Sequence, residues 1–413
     1  MASRTSPMHL AVALNGAGWH PAAWRAPRAR PHELLQAGYW VQTIQQAERG
    51  LIDFVTIEDS LGLDTQPGPG GPDGPGTDGA GQVRGHLDAV LIAARVAPVT
   101  SHIGLVPTVI VTHTEPFHIS KAIATLDYVS TGRAGLRARV SASPQEAAHF
   151  GRRTFPVLDP ADPGSPQAQN LTTELMDEAA DYIEVVRRLW DSWEDDAVIR
   201  DSDTGRFVDR EKLHYIDFHG RYFRVKGPSI TPRPPQGQPV VSVLAHNSVT
   251  CQLAGRSADV AYVTPRDGEH ARAIVEEIRE AQAAVGRAEQ TIHVFADLVV
   301  FLDARARAAP RNKAALDDLA GSEYNSDATV FTGTPLRLAD LLQEWHASGV
   351  TGFRLRPGSI SHDLPEITGA LVPELQRRGL FRTVYEARTL RGLLGLPRPA
   401  SGYENPVHRT ART

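Results

Sequence analysis

Short apolar runs alternate with longer amphipathic stretches along most of the chain. Met8 to Leu14 is the first run, and it stops at Asn15-Gly16, a turn signal. Residues 36–50 then place Trp40, Ile44 and Ala47 on one helical face, with Gly50 as the stop. The same spacing predicts strands over 53–57, 102–107 and 134–140, with helices over 87–97 and 117–129 between them. Strands separated by helices of this length pack as parallel βαβ units.

The alternation breaks after residue 140. Residues 144–172 show no clear period, and a long helix is expected over 174–193, where Leu175, Ala179, Ile183, Val186, Trp190 and Trp193 recur on one face. Residues 200–238 are polar, aromatic and Pro-rich, as an inserted segment would be. Strands over 240–244, 259–263, 292–301 and 351–356 then alternate with helices over 248–257, 268–283 and 364–378, and a helical insertion is expected over 302–345. The count is eight strand–helix units. The fold expected is a (β/α)8 barrel with insertions, read as one domain over 1–413, and the alternative is a doubly wound α/β sheet.

Composition narrows the function classes. The 413 residues carry 43 basic and 48 acidic side chains, a net charge of −5 that offers no surface for nucleic acid. The single cysteine, Cys251, excludes an internal disulfide framework and is expected to be an inert buried side chain. No apolar run reaches the ~18 residues of a membrane span, so the expectation is a soluble cytoplasmic protein without a signal peptide. Residues 64–86 hold 12 Gly or Pro in 23 positions. That segment is expected to be a loop at the C-terminal face of the barrel, either a spacer or a lid.

Short catalytic motifs are absent, so the chemistry must come from polar residues at the predicted strand C-termini. These are Asn15 and His20, Glu58 and Asp59, Thr108, the group Arg137, Arg139 and Ser141, then His246 and Asn247, and Arg354 and Arg356. Arg137 and Arg139 share one face of their strand. If that face is the barrel interior, two guanidinium groups are buried without partners unless an anion meets them. Arg133 is expected to pair with an acid such as Asp127.

Longer joint patterns carry a resemblance. Gly18-x-His20-x3-Trp24-Arg25, Ala47-Glu48-Arg49-Gly50 with Asp53-Phe54 and Asp59, and Ile103-Gly104-Leu105-x-x-Thr108 form the first set. Glu115-Pro116-Phe117-His118, Thr125-Leu126-Asp127-x-x-Ser130-x-Gly132-Arg133-Ala134-Gly135 and Leu189-Trp190-Asp191-Ser192-Trp193-Glu194 continue it, and His219-Gly220-Arg221-Tyr222-Phe223 and Thr389-Leu390-Arg391 complete it. Together they resemble the bacterial luciferase-like superfamily, in its branch of nitrilotriacetate- and long-chain-alkane-type monooxygenases, over roughly residues 8–400.

The resemblance implies a TIM barrel that uses reduced FMN as a co-substrate, supplied by a separate flavin reductase, to oxidise a small organic molecule. By position it implies a cofactor site of Asp59, Thr108 and Ser141, and it makes His20 the candidate for a catalytic contact. The chain has Leu136-Arg137, Leu175-Met176 and His246-Asn247 where the family usually has Trp-Asn, Arg-Tyr and a Gly-Ser-Ser phosphate turn. Arg137 and the group His246, Asn247 and Ser248 are therefore the expected donors to the cofactor phosphate. A deazaflavin-dependent oxidoreductase and a silent barrel acting as a partner subunit stay open as alternatives. Luciferase-like barrels pair through early helices, so a homodimer is expected.

Overall fold

The computed structural model describes residues 7–63, 83–158, 162 and 164–403. Most of the predicted Gly/Pro-rich loop, 64–82, lies outside the described residues. Eight parallel strands close into a barrel: β1 (His9–Leu14), β2 (Phe54–Ile57), β3 (Gly104–Ile110), β4 (Gly135–Arg139), β5 (Val240–Leu244), β6 (Val260–Val263), β7 (His293–Leu302) and β8 (Gly352–Pro357). Each pairs with its neighbour in sequence order. The ring closes where β8 pairs with β1, His9 opposite Gly352. This is the expected (β/α)8 barrel, and the doubly wound alternative is excluded.

The strands read as near-continuous apolar runs because both of their faces are covered. Outward residues such as Leu10, Val12, Val55, Leu105, Phe353 and Leu355 pack beneath the helices. Inward residues at the N-terminal end form a second apolar layer: Ala11, Phe54, Val106, Val240, Tyr262 and Phe295, plugged from below by Leu390 and Leu394. Gly352 leaves room for the Phe295 ring, which a side chain there would strike.

Each strand is followed by its helix: α1 (Ala37–Arg49), α2 (Ala89–Val96), α3 (Pro116–Val129), α4 (Pro166–Asp191), α5 (Ser248–Ser257), α6 (Gly268–Ala284), α7 (Pro335–Ala347) and α8, which runs from Ile360 to Arg377 through a π-helical stretch at Ile367–Leu371. Helix α4 starts eight residues before the apolar period does, because Ser165 caps it and Pro166 takes its first position. Two small hairpins, Val198–Asp201 with Arg206–Val208 and Phe218–His219 with Arg224–Val225, fill the insertion before β5. Helix Ala308–Ala320 occupies part of the segment read as helical, but that segment also holds a ninth strand, Thr329–Gly333. It runs parallel to the last five residues of β7.

Arg133 does not pair with Asp127. It donates to the carbonyls of Ala97, Thr100, Ile103 and Ser130 and to the Thr100 hydroxyl, while Asp127 accepts from Gln236 and Ala134. Five fixed donors suit a ring of carbonyls better than one acid.

At the N-terminal face His293 lies edge-on to His9, ring centroids 4.9 Å apart, with its Nε2 2.8 Å from the Leu394 carbonyl. Burial, with His9 adding to it, pushes the His293 pKa down to about 4. The unfolded chain then binds a proton near pH 6.5 that the folded chain refuses until about pH 4. Stability contributed by the neutral ring is complete above pH 6.5 and falls on acidification through that window, by an amount on the order of 3 kcal/mol. Urea unfolding at pH 7 and pH 5 is expected to give a clear drop for the wild type and a smaller one for His293→Gln. Equal drops refute the assignment.

Candidate active site

The barrel interior changes character from one end to the other. On β2 the inward series runs Phe54, Thr56 and then Glu58 just past the strand. On β4 it runs Gly135, Arg137, Arg139, on β7 Phe295, Asp297, and on β8 Gly352, Arg354, Arg356. A period of two keeps each series on one face, so the apolar floor gives way to charge at the C-terminal mouth, where sites on this fold lie.

Arg137 and Arg139 point inward as expected, but they are not without partners. Arg137 Nη1 lies 2.6 Å from Glu58 Oε2 and 2.9 Å from Thr108 Oγ1. Arg139 Nη1 donates to the Asp59 carbonyl at 2.7 Å. The partners come from β2, two strands away, because Thr108 of β3 sits opposite Arg137 and a long guanidinium side chain reaches past it. The requirement for an anion inferred from the sequence is thus met in part by the protein itself.

Behind this pair, Asp297 takes a bidentate contact from Arg354, with Nε at 2.7 Å, and a second from Arg356, with Nε at 3.0 Å. Arg354 also reaches Glu58 at 3.4 Å and lies 4.0 Å above the Tyr262 ring. Arg356 continues to Asp327 at 2.6 Å and lies 4.5 Å from the Trp19 ring. Burial alone would raise the Glu58 carboxyl, but Arg137 and Arg354 override it and hold it below the usual carboxylate range. Asp297 is held down the same way. Burial brings the Arg137 guanidinium down to about 10, which leaves it charged at neutral pH. Four guanidinium groups therefore face three carboxylates. Among the described residues no carboxylate pairs with Arg139, and Arg137 Nε is buried without a hydrogen-bond partner.

The rim holds the other candidates. Asp59 accepts from Ala89 N at 2.9 Å, at the start of α2, and pairs with His86 at 2.8 Å. Ser141 N donates to Thr112 Oγ1 at 3.0 Å. His246, Asn247 and Ser248 are exposed at the N-terminus of α5, where Asn247 and Thr250 form a capping box. His246 Nδ1 lies 3.1 Å from Thr264 Oγ1. Thus Asp59, Thr108, Arg137 and Ser141 gather on the β2–β4 side, and 246–248 stand across β5 from them. His20 is buried away from the opening. Its Nδ1 accepts from Ala22 N at 3.1 Å and its Nε2 lies 3.0 Å from Asp317 Oδ1, which ties the first βα loop to helix Ala308–Ala320. Cys251 is buried, and burial pushes its thiol up to about 12.

Asp297 and Asp327 escaped the sequence reading. Asp297 carried a usable signal, an acid inside the run Phe295-Ala-Asp-Leu-Val-Val-Phe301 where every neighbour is apolar. Asp327 carried none, since it lies in a polar loop.

A barrel whose mouth is lined by fixed cations and hydroxyl groups is a site for a polar, anionic ligand. Comparison with known proteins gives the family. The family model for luciferase-like monooxygenases matches residues 21–326, and the chain belongs to that family. The N-acetyl-S-(2-succino)cysteine monooxygenase of Bacillus subtilis (strain 168) is 30% identical, over 98% of this chain and 100% of that protein. Nitrilotriacetate monooxygenase component A of Aminobacter aminovorans is 29% identical, over 97% and 98%. The solved structure of a long-chain alkane monooxygenase superposes with a TM-score of 0.81 at 25% identity, covering 95% and 96%. The chain is an enzyme of the monooxygenase class. No helix among the described residues is long and apolar enough to cross a membrane.

Proposed function

We propose that the chain is the oxygenase of a two-component system, using reduced FMN from a separate flavin reductase and O2 to oxidise a small organic substrate. The observation that carries this reading is the set of guanidinium groups at the mouth of a luciferase-like barrel: among the described residues Arg139 has no carboxylate partner, and Arg137 Nε is buried without a hydrogen-bond partner. The donor set fits a reduced flavin, which is anionic at its phosphate and electron-rich in its ring. When bound, the flavin supplies the electrons that activate oxygen, and the protein supplies placement, charge and exclusion of water.

The residues divide that work. The start of α5, with His246, Asn247 and Ser248, offers amide and side-chain donors to the phosphate. Arg137 and Arg139 hold negative charge over the barrel axis, and Asp59, Thr108 and Ser141 contribute hydrogen bonds at the rim. His20 acts as a positioning residue, fixing through Asp317 the wall formed by helix Ala308–Ala320. The name of one relative, component A, supports a reductase partner. A homodimer belongs to the same reading. The apolar face of α1 (Tyr39, Trp40, Ile44, Ala47) is spent on the barrel, so pairing would use exposed apolar residues such as Leu91 on α2.

Anaerobic titration with reduced FMN, oxidised FMN and reduced deazaflavin tests the proposal. Micromolar binding of reduced FMN, with a light-scattering mass near twice 44.9 kDa, is the expected result. Preference for the deazaflavin overturns the cofactor assignment. Binding of neither cofactor overturns the assignment of the mouth as the flavin site.

A further inference from the structure

Next to Ser141, the loop after β3, helix Pro144–Phe150 and α4 enclose a cleft of about 50 Å³ that none of the proposed cofactor residues lines. His113 lines it, with 5% of its surface exposed, and its Nε2 has no hydrogen-bond partner. The imidazole is stacked on Phe150, centroids 5.2 Å apart and planes 5° from parallel, which holds the plane of the ring against the cleft. A buried polar nitrogen left unmatched is destabilising until a ligand or water meets it. At roughly 10–15 Å³ per water-sized centre, the space takes a group of about three to five such centres.

The other walls say what kind of group. Thr112 Oγ1 accepts from Ser141 N at 3.0 Å, which leaves its hydroxyl proton to donate. Arg153 is fixed by Glu178, with Nη1 2.6 Å from Oε2. Among the described residues Arg152 pairs with Glu115 alone, and both side chains are more than half exposed, 61% and 56%. Such a pair is worth at most about 1 kcal/mol, so the Arg152 guanidinium turns readily toward a competing anion. Glu146 and Glu178 add negative charge near His113. Yet no three His, Cys, Asp or Glu side chains among the described residues converge as metal ligands.

We infer that this cleft is a binding site for a small oxyanion, a carboxylate or a phosphate group, held by His113 Nε2, the Thr112 hydroxyl and Arg152. It stands independently of the flavin reading. The Thr112–Ser141 hydrogen bond puts it one loop from the proposed cofactor residues, so two sources of such a group are in reach: an acidic group of the substrate, or the phosphate of the flavin, which would then lie here rather than at the start of α5.

Inorganic phosphate and acetate are the probes, followed by calorimetry and by NMR of the protein labelled with [15N]histidine. Saturable millimolar binding that moves one buried imidazole resonance is expected. His113→Phe keeps the stack on Phe150 and removes the nitrogen, and Arg152→Gln changes only the surface. Each is expected to weaken binding about tenfold, the value of one charge-assisted hydrogen bond. Competition of phosphate with reduced FMN but not with reduced riboflavin identifies the cofactor's phosphate as the occupant. Competition with neither assigns the cleft to the substrate. No saturable binding, or binding unchanged in both variants (an adventitious ion only), overturns the site.

Discussion

Asp297→Ala is expected to destabilise the fold by about 3–5 kcal/mol, the cost of removing one partner from a buried ion pair. Asp297 is the shared acceptor of Arg354 and Arg356, and all three are essentially without solvent contact; of the remaining acids, Glu58 lies 3.4 Å from Arg354 and already serves Arg137, while Asp327 holds only the outer edge of Arg356. Removing the carboxylate leaves Arg354 with only the shared Glu58 and Arg356 with only the half-exposed Asp327. The cluster itself need not be a net source of stability, because buried pairs are often replaced by apolar groups at little cost. The informative comparison is therefore Asp297→Leu combined with Arg354→Met. The double variant is expected to recover much of the midpoint in urea unfolding that Asp297→Ala loses. If Asp297→Ala unfolds at the wild-type urea concentration, the network carries no structural strain and the interior pairing is wrong.

Arg137→Met is expected to lower the affinity for reduced FMN roughly 10- to 150-fold, the equivalent of about 1.5–3 kcal/mol for a charge-assisted contact. The substitution keeps an unbranched apolar stem and removes the Arg137 donor to Glu58 and Thr108. Glu58 retains Arg354 at 3.4 Å, so the carboxylate is not left wholly unmatched and folding is expected to survive. Anaerobic titration measures the effect, with circular dichroism and unfolding as controls. His246→Ala, at the opposite side of the mouth, is expected to weaken FMN more than riboflavin, since its neighbourhood is assigned to the phosphate. Wild-type affinity in both variants would falsify the cofactor site as drawn.

The barrel was legible because alternating short apolar runs and amphipathic helices leave few other packings, and strand positions were recovered to within a few residues. The inward face of Arg137 and Arg139 was legible too, from the period of two. Their partners were not. Which acid meets Arg137 depends on the stagger of β2, β3 and β4, and nothing local at Glu58 announces it. The ninth strand was hidden for a related reason: Thr329–Gly333 is a five-residue run whose partner is the overhang of β7, and β7 is ten residues long where its neighbours have four to seven. The start of α4 was readable from Ser165-Pro166 but was masked by the polar first turns that follow. The His113 cleft depends on a ring from the loop after β3 stacking on one at the end of helix Pro144–Phe150, which no pattern along the chain encodes.

The seam between β1 and β8 has a further consequence for how the chain acquires its shape. His9, Leu10, Ala11 and Val12 pair with Gly352, Phe353, Arg354 and Leu355, partners separated by more than three hundred positions. β1 can dock on β2 as soon as the first fifty-odd residues exist, but its other edge has no mate until nearly the whole polypeptide is made. During synthesis at ~5–20 residues per second that edge waits tens of seconds with unpaired amides. Contacts of such long range also close slowly. A growing chain of this topology is thus at its stickiest just before completion, and a truncated product ending before residue 352 should be captured by chaperones or precipitate where the finished barrel stays in solution.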